Sequence, residues 1–76
     1  MIDNKLRTLL SLANTKNYTE TARELNLTQP AISHHIRLLE EEFNTRLFVR
    51  VKNKLKLTPE GEILLKYARS INALYD

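Results

Sequence analysis

Cysteine is absent from the 76 residues, which excludes disulfides, thiolate metal sites and cysteine nucleophiles and leaves nothing to suggest an oxidising compartment. Glycine occurs once, so there is no glycine-rich loop to cradle a phosphate, and no nucleophile, base and oxyanion-donor set can be assembled. An enzyme is the weakest reading, and no cofactor is expected. No apolar run approaches the roughly 18 residues that a membrane span requires. Met1 to Arg7 carries Asp3, Lys5 and Arg7 in place of a signal-like apolar segment. A soluble, cytoplasmic protein with no membrane contact is therefore expected. A chain of this length buries only about 60% of its unfolded surface, which fits one domain with a small core better than a deep catalytic cleft.

What the chain does have is an uneven charge. Residues 1 to 45 hold five basic and six acidic side chains, and residues 59 to 76 hold two basic and three acidic. The segment between them contains Arg46, Arg50, Lys52, Lys54 and Lys56 with no acid, which more than accounts for the net charge of +3. A polyanion is expected to meet the protein there.

Periodicity places the elements. Leu6, Leu9, Leu10 and Ala13 follow helical spacing after Asp3, predicting a first helix over about residues 3 to 14 that Asn14 to Asn17 breaks. Thr19 is the expected cap of a short second helix with Ala22 and Leu25 facing inward, and Asn26-Leu27 turns the chain. Thr28 then caps a third helix with Pro30 in its first turn, where a missing N–H costs nothing. Ile32, Ile36, Leu39 and Phe43 gather on its buried side, leaving Gln29, Pro30, Ser33, His34 and Arg37 on the other. Asn44 is expected to end it in the left-handed conformation. Two helices joined by a short turn make a helix-turn-helix.

Beyond Phe48 the period changes to two. Val49, Val51, Leu55 and Leu57 alternate with Arg50, Lys52, Lys54 and Lys56 about Asn53, which predicts a hairpin wing with one apolar and one basic face. Thr58-Pro59-Glu60 opens a last helix whose apolar residues exceed the single stripe needed for one neighbour. Ile63, Leu64, Tyr67, Ala68, Ile71, Leu74 and Tyr75 are therefore expected to form a two-fold dimer interface. The predicted fold class is mainly α: a winged helix-turn-helix with a three-helix core, a two-stranded β wing and a C-terminal helix.

Several residues together resemble the DNA-binding domain of LysR-type transcriptional regulators, a bacterial winged helix-turn-helix family. They are Tyr18-Thr19 with Ala22 and Leu25, Gln29-Pro30-Ala31-Ile32-Ser33, Ile36, Leu39-Glu40, Leu47-Phe48, Arg50 and Leu57-Thr58-Pro59-Glu60-Gly61. The resemblance implies a helix-turn-helix over 20 to 43, a recognition helix over 29 to 43 and a wing over 48 to 57. It implies a DNA-binding domain over 1 to 58 and a linker helix over 59 to 76 through which such domains dimerise. It also implies a larger effector-binding domain and tetramer assembly in a full-length protein, so the chain is read as a fragment ending inside the linker helix. Departures are Thr21 in place of the first residue of an Ala-Ala pair, Leu9 for phenylalanine and Asn44 for glycine. His34-His35 stands where arginine and glutamine are frequent, and Asn53 where a wing-tip arginine is common.

On this reading Gln29 pairs bidentately with adenine N6 and N7, a contact worth about 1–3 kcal/mol of discrimination. Pro30 offers apolar contact to a thymine methyl, Ser33 reaches a base or phosphate, and His34 and Arg37 follow on the same side. Arg50, Lys52, Lys54 and Lys56 contact phosphates, and Thr28 and Asn53 complete the set. Glu40, Glu41 and Glu42 repel phosphate from the far end of the helix. His34 and His35 point about 100° apart with no third ligand nearby, so no metal is expected. The expected partner is double-stranded DNA with partly palindromic half-sites, bound by a homodimer. The alternatives are a winged-helix repressor of another family and a protein-interaction module without sequence-specific DNA binding.

Overall fold

The structure, a computed structural model, describes residues 3–75, and the side chain of Tyr75 lies outside the described residues. Its elements in order are α1 (Asn4–Thr15), α2 (Tyr18–Leu25), α3 (Gln29–Glu42), β1 (Phe48–Val51), β2 (Lys54–Leu57) and α4 (Pro59–Tyr75).

Each of the first three helices starts on a polar cap. Asp3 accepts the Leu6 N–H at 2.9 Å, and α1 closes where Lys16 turns left-handed at φ 54°. The cap of α2 is Asn17, not Thr19: the Asn17 side chain accepts the Glu20 N–H at 2.9 Å. Asn17 is extended, at φ −149°, as a cap must be, whereas Thr19 is already inside the first turn. Thr28 caps α3 by accepting the Ala31 N–H at 3.2 Å.

Thr21, unexpected beside a core, is fully buried and lies 2.8 Å from the Thr15 hydroxyl and 3.3 Å from that of Ser11. Ser11 also lies 3.0 Å from a Glu24 carboxylate oxygen. This polar ladder satisfies the buried hydroxyls and joins α1 to α2.

Ile32, Ile36 and Leu39 are buried as expected, but Phe43 is 48% exposed. The helix stops at Glu42 and Phe43 is its C-cap, at φ −97° and ψ 0°, so helical spacing no longer carries its side chain onto the buried face. Asn44 follows in the left-handed conformation at φ 51°, as expected.

The wing is an antiparallel hairpin pairing Phe48 with Leu57, Val49 with Lys56, Arg50 with Leu55 and Val51 with Lys54. Lys52 and Asn53, at φ 52° and 64°, form its two-residue turn of the mirror-image kind that matches strand twist. This register overturns the expectation of one apolar and one basic face. Three of the four pairs, Val49 with Lys56, Arg50 with Leu55 and Val51 with Lys54, set an apolar side chain beside a basic one on the same face, and only Phe48 with Leu57 is apolar throughout. Phe48 and Leu55 decide which face is buried, at 3% and 7% exposure. Arg50 therefore lies on the inward face, beyond the core's edge, while Val49 and Val51 lie outward with Lys54 and Lys56.

Leu9, Leu12, Ile36, Leu39, Leu47, Phe48, Leu55 and Leu65 form the core, so α1, α3, the wing and α4 share one apolar centre. Ala68, expected at a dimer interface, is fully buried within its own chain. It occupies the inward stripe of α4 with Leu65, and the small side chain permits close approach to the body. Thr58 begins α4: its hydroxyl accepts the Gly61 N–H at 3.0 Å and donates to the Arg46 carbonyl. Its own N–H reaches the Leu47 carbonyl at 2.9 Å. A Cβ at Gly61 would run into that Leu47 oxygen and sit 2.8 Å from Leu57 Cδ2, which explains why the chain's one glycine stands here.

Candidate nucleic-acid interface

The turn between α2 and α3 brings Gln29, the first residue of α3, against the first turn of α2. Gln29 Nε2 donates to Thr19 Oγ1 at 2.8 Å. Facing this pair, Arg50 of β1 together with β2 and the tip of the wing completes an open groove lined by Lys16, Tyr18, Gln29, Asn53, Lys54 and Lys56, with no acidic side chain. A second recess runs along α3 beside β1, where Ser33 and Arg37 meet Arg46 and Arg50. The two recesses share Tyr18, Arg50 and Leu55, so they adjoin, and Glu40 is the one acid lining the second.

Of the expected contact residues, Gln29, Ser33, Arg37, Arg50, Asn53, Lys54 and Lys56 converge on these two recesses. Thr28, Pro30, His34 and Lys52 are exposed but line neither. The Thr28 hydroxyl serves as the α3 cap. The adjacent histidines diverge as helical geometry requires: His34 faces solvent, while half-buried His35 places Nδ1 2.8 Å from the Thr8 hydroxyl of α1.

Glu40, one of the three glutamates expected to repel phosphate, also has structural partners. Its side chain is 18% exposed and its carboxylate accepts the Leu47 N–H at 2.8 Å, with Arg46 Nε 3.4 Å away. That acid is an anchor for the start of the wing. Glu42 pairs with Lys5 at 3.2 Å.

Lys16, Tyr18 and Thr19 line these recesses without having been expected as contacts, and Arg46, expected only as part of the basic run, joins them. Lys16 was hidden by counting charge over a long segment of net negative sign, although its place between two helices marks it as a loop cation. Tyr18 sits half-buried between the recesses. Burial pushes its hydroxyl above the ordinary tyrosine value of 10.0 and the negative charge of Glu40 adds to this, while Arg50 and Arg46 oppose it. Tyr18 is therefore a neutral hydroxyl at physiological pH.

A separate, apolar recess lies on the far side, where Phe43 and Leu47 meet Ile63, Leu64 and Tyr67 of α4. Ile63, Tyr67 and Leu74 are 59%, 65% and 82% exposed. No helix among the described residues is long and apolar enough to cross a membrane.

A family model described as bacterial regulatory helix-turn-helix protein, lysR family, matches residues 4–62. An uncharacterised helix-turn-helix transcriptional regulator of Bacillus subtilis, YxjO, is 40% identical over 70 residues, covering 92% of this chain and 24% of that protein. The chain thus spans about a quarter of the length of the curated relatives it matches. A crystal structure of a LysR-family transcriptional regulator from Eggerthella lenta superposes with a TM-score of 0.81 at 46% identity, covering 92% of this chain and 99% of that one. A crystal structure of the BenM DNA-binding domain in complex with catB site 1 DNA superposes with a TM-score of 0.91 at 32% identity, covering 100% of this chain and 85% of that one.

Proposed function

The chain belongs to the LysR family of bacterial regulatory helix-turn-helix proteins, and from that membership we propose that it binds double-stranded DNA sequence-specifically as part of a transcription regulator. Residues 1–58 are the DNA-binding domain and residues 59–76 a linker helix. The observation that carries this reading is the acid-free groove in which the N-terminus of α3 and the wing converge. The first two turns of α3 enter the major groove with Gln29, Pro30, Ser33, His34 and Arg37, and Thr28 lies at the point of entry. Arg50, Lys52, Asn53, Lys54 and Lys56 follow the backbone or minor groove, with phosphate contacts supplying affinity and base contacts selectivity. The exposed apolar side chains of α4, from Ile63 through Tyr67, Ile71 and Leu74, form a homodimer interface. Two-fold pairing of the recognition helices then favours partly palindromic half-sites.

Fluorescence anisotropy over a salt series, using duplexes enriched from a randomised pool, tests this. Four basic side chains each neutralising one phosphate give a salt slope of roughly 3 to 4 per protomer. Lys52→Ala with Lys54→Ala makes that slope shallower and weakens all duplexes alike, while Gln29→Ala erases preference at one base position. A chain that enriches no sequence over random DNA refutes the proposal and leaves the protein-interaction reading, whose function would survive both sets of substitutions.

A further inference from the structure

We propose that Thr19 is a positioning residue that holds the Gln29 amide in place to read a base. The inference rests on Gln29 as a base reader and adds what fixes its amide. A free glutamine amide turns readily and presents its oxygen or its nitrogen with equal ease, so by itself it selects no single donor and acceptor pattern. Here Nε2 is held 2.8 Å from Thr19 Oγ1 by a bond between the first turn of α2 and the first residue of α3. That bond consumes one N–H. The other N–H and the carbonyl oxygen remain available to a base edge.

Adenine offers the matching pair in the major groove, an acceptor at N7 beside a donor at N6, whereas guanine offers two acceptors at N7 and O6. With the amide held this way, the Gln29 oxygen would face guanine O6, acceptor against acceptor. A reversed amide would place its oxygen on Thr19, whose hydroxyl can donate as well as accept, so the bond fixes where the amide lies, and the orientation found here is the one that suits adenine. The α2 backbone is held independently, because Asn17 caps the helix, so the Thr19 hydroxyl is not needed to start it.

The test takes the best duplex enriched from a randomised pool and replaces each base pair in turn, reading affinities by anisotropy at one salt concentration. Gln29→Ala identifies the position that Gln29 reads. Thr19→Val, which keeps the shape and removes the hydroxyl, is expected to lower the ratio of the favoured base to the others at that position by about 2- to 10-fold, the range of one modest hydrogen bond. Thr19→Ser is expected to restore the ratio, and Thr19→Val in the Gln29→Ala background to leave that position's profile as Gln29→Ala alone does.

An equal drop on every duplex with the ratio intact makes Thr19 a backbone contact and overturns the inference. If Gln29→Ala changes no position, the base-reader assignment itself fails and takes this inference with it. If Gln29→Ala acts but Thr19→Val does not, only the positioning role is lost.

Discussion

The Glu40 carboxylate holds the backbone N–H of Leu47 at 2.8 Å, so the helix proposed to enter DNA also fastens the segment that starts the wing. Leu47 is fully buried, and its carbonyl receives the Thr58 N–H that opens α4. One residue thus fixes the spacing of three elements, with Glu40 supplying the polar half of the joint.

Glu40→Ala leaves the Leu47 N–H without its partner and is expected to cost about 1–3 kcal/mol of stability. For a domain of this size, 1 kcal/mol lowers Tm by about 4–8 °C. Glu40→Gln keeps an acceptor oxygen and loses less. Urea denaturation of the two variants orders them, and equal stability of Glu40→Ala and the parent would show that the bond contributes nothing net.

Gly61→Ala is expected to destabilise. Alanine in a helix is ordinarily better than glycine by about 1 kcal/mol, but here the new methyl meets the Leu47 carbonyl oxygen, which is backbone and already engaged. Overpacking of this kind costs about 1–3 kcal/mol, so the steric effect outweighs the propensity gain. A thermal melt reads the sign directly.

Tyr18 holds its proton in the folded state at pH values where an unfolded chain releases it, because burial raises its value above 10.0. Its contribution to stability is full below pH 10 and is lost as pH rises through the raised folded value. Phenolate absorbance is expected to show a late-titrating component, and Tyr18→Phe to remove that component and flatten the alkaline fall in stability.

Tyr67→Asp, at an exposed position of α4, is expected to leave the monomer folded and weaken self-association in sedimentation. Ala68→Asp, one residue along, places an unpaired carboxylate in the core and is expected to unfold the chain. Circular dichroism separates the two, and a folded Ala68→Asp would contradict the packing described for α4.

The helices were legible because their signals are local: Asp3, Thr28 and Asn44 act within a few residues of themselves. That Gln29, Ser33, Arg37 and Arg50 would share one side was legible, because helical spacing put the first three on one face of α3 and Arg50 belongs to the acid-free basic run. What escaped depended on registers and distances that no local pattern contains. The two faces of the wing were misassigned because each strand alternates correctly alone, while the pairing of Arg50 with Leu55 is set by the turn. Phe43 escaped because helical spacing says nothing of where a helix stops. Thr19 read equally well as a cap, and its bond to Gln29 spans ten residues.

The wing turn places Lys52 and Asn53 in the left-handed region, where asparagine is at ease and a lysine is held at a cost of about 1–2 kcal/mol. A two-residue turn of this kind is most stable as Asn-Gly, so the loop is built below its attainable stability, with a positive charge at the point farthest from the core. Selection for heat resistance alone would be drawn to Lys52 first, and the variants it kept would be hardier proteins with a less cationic tip.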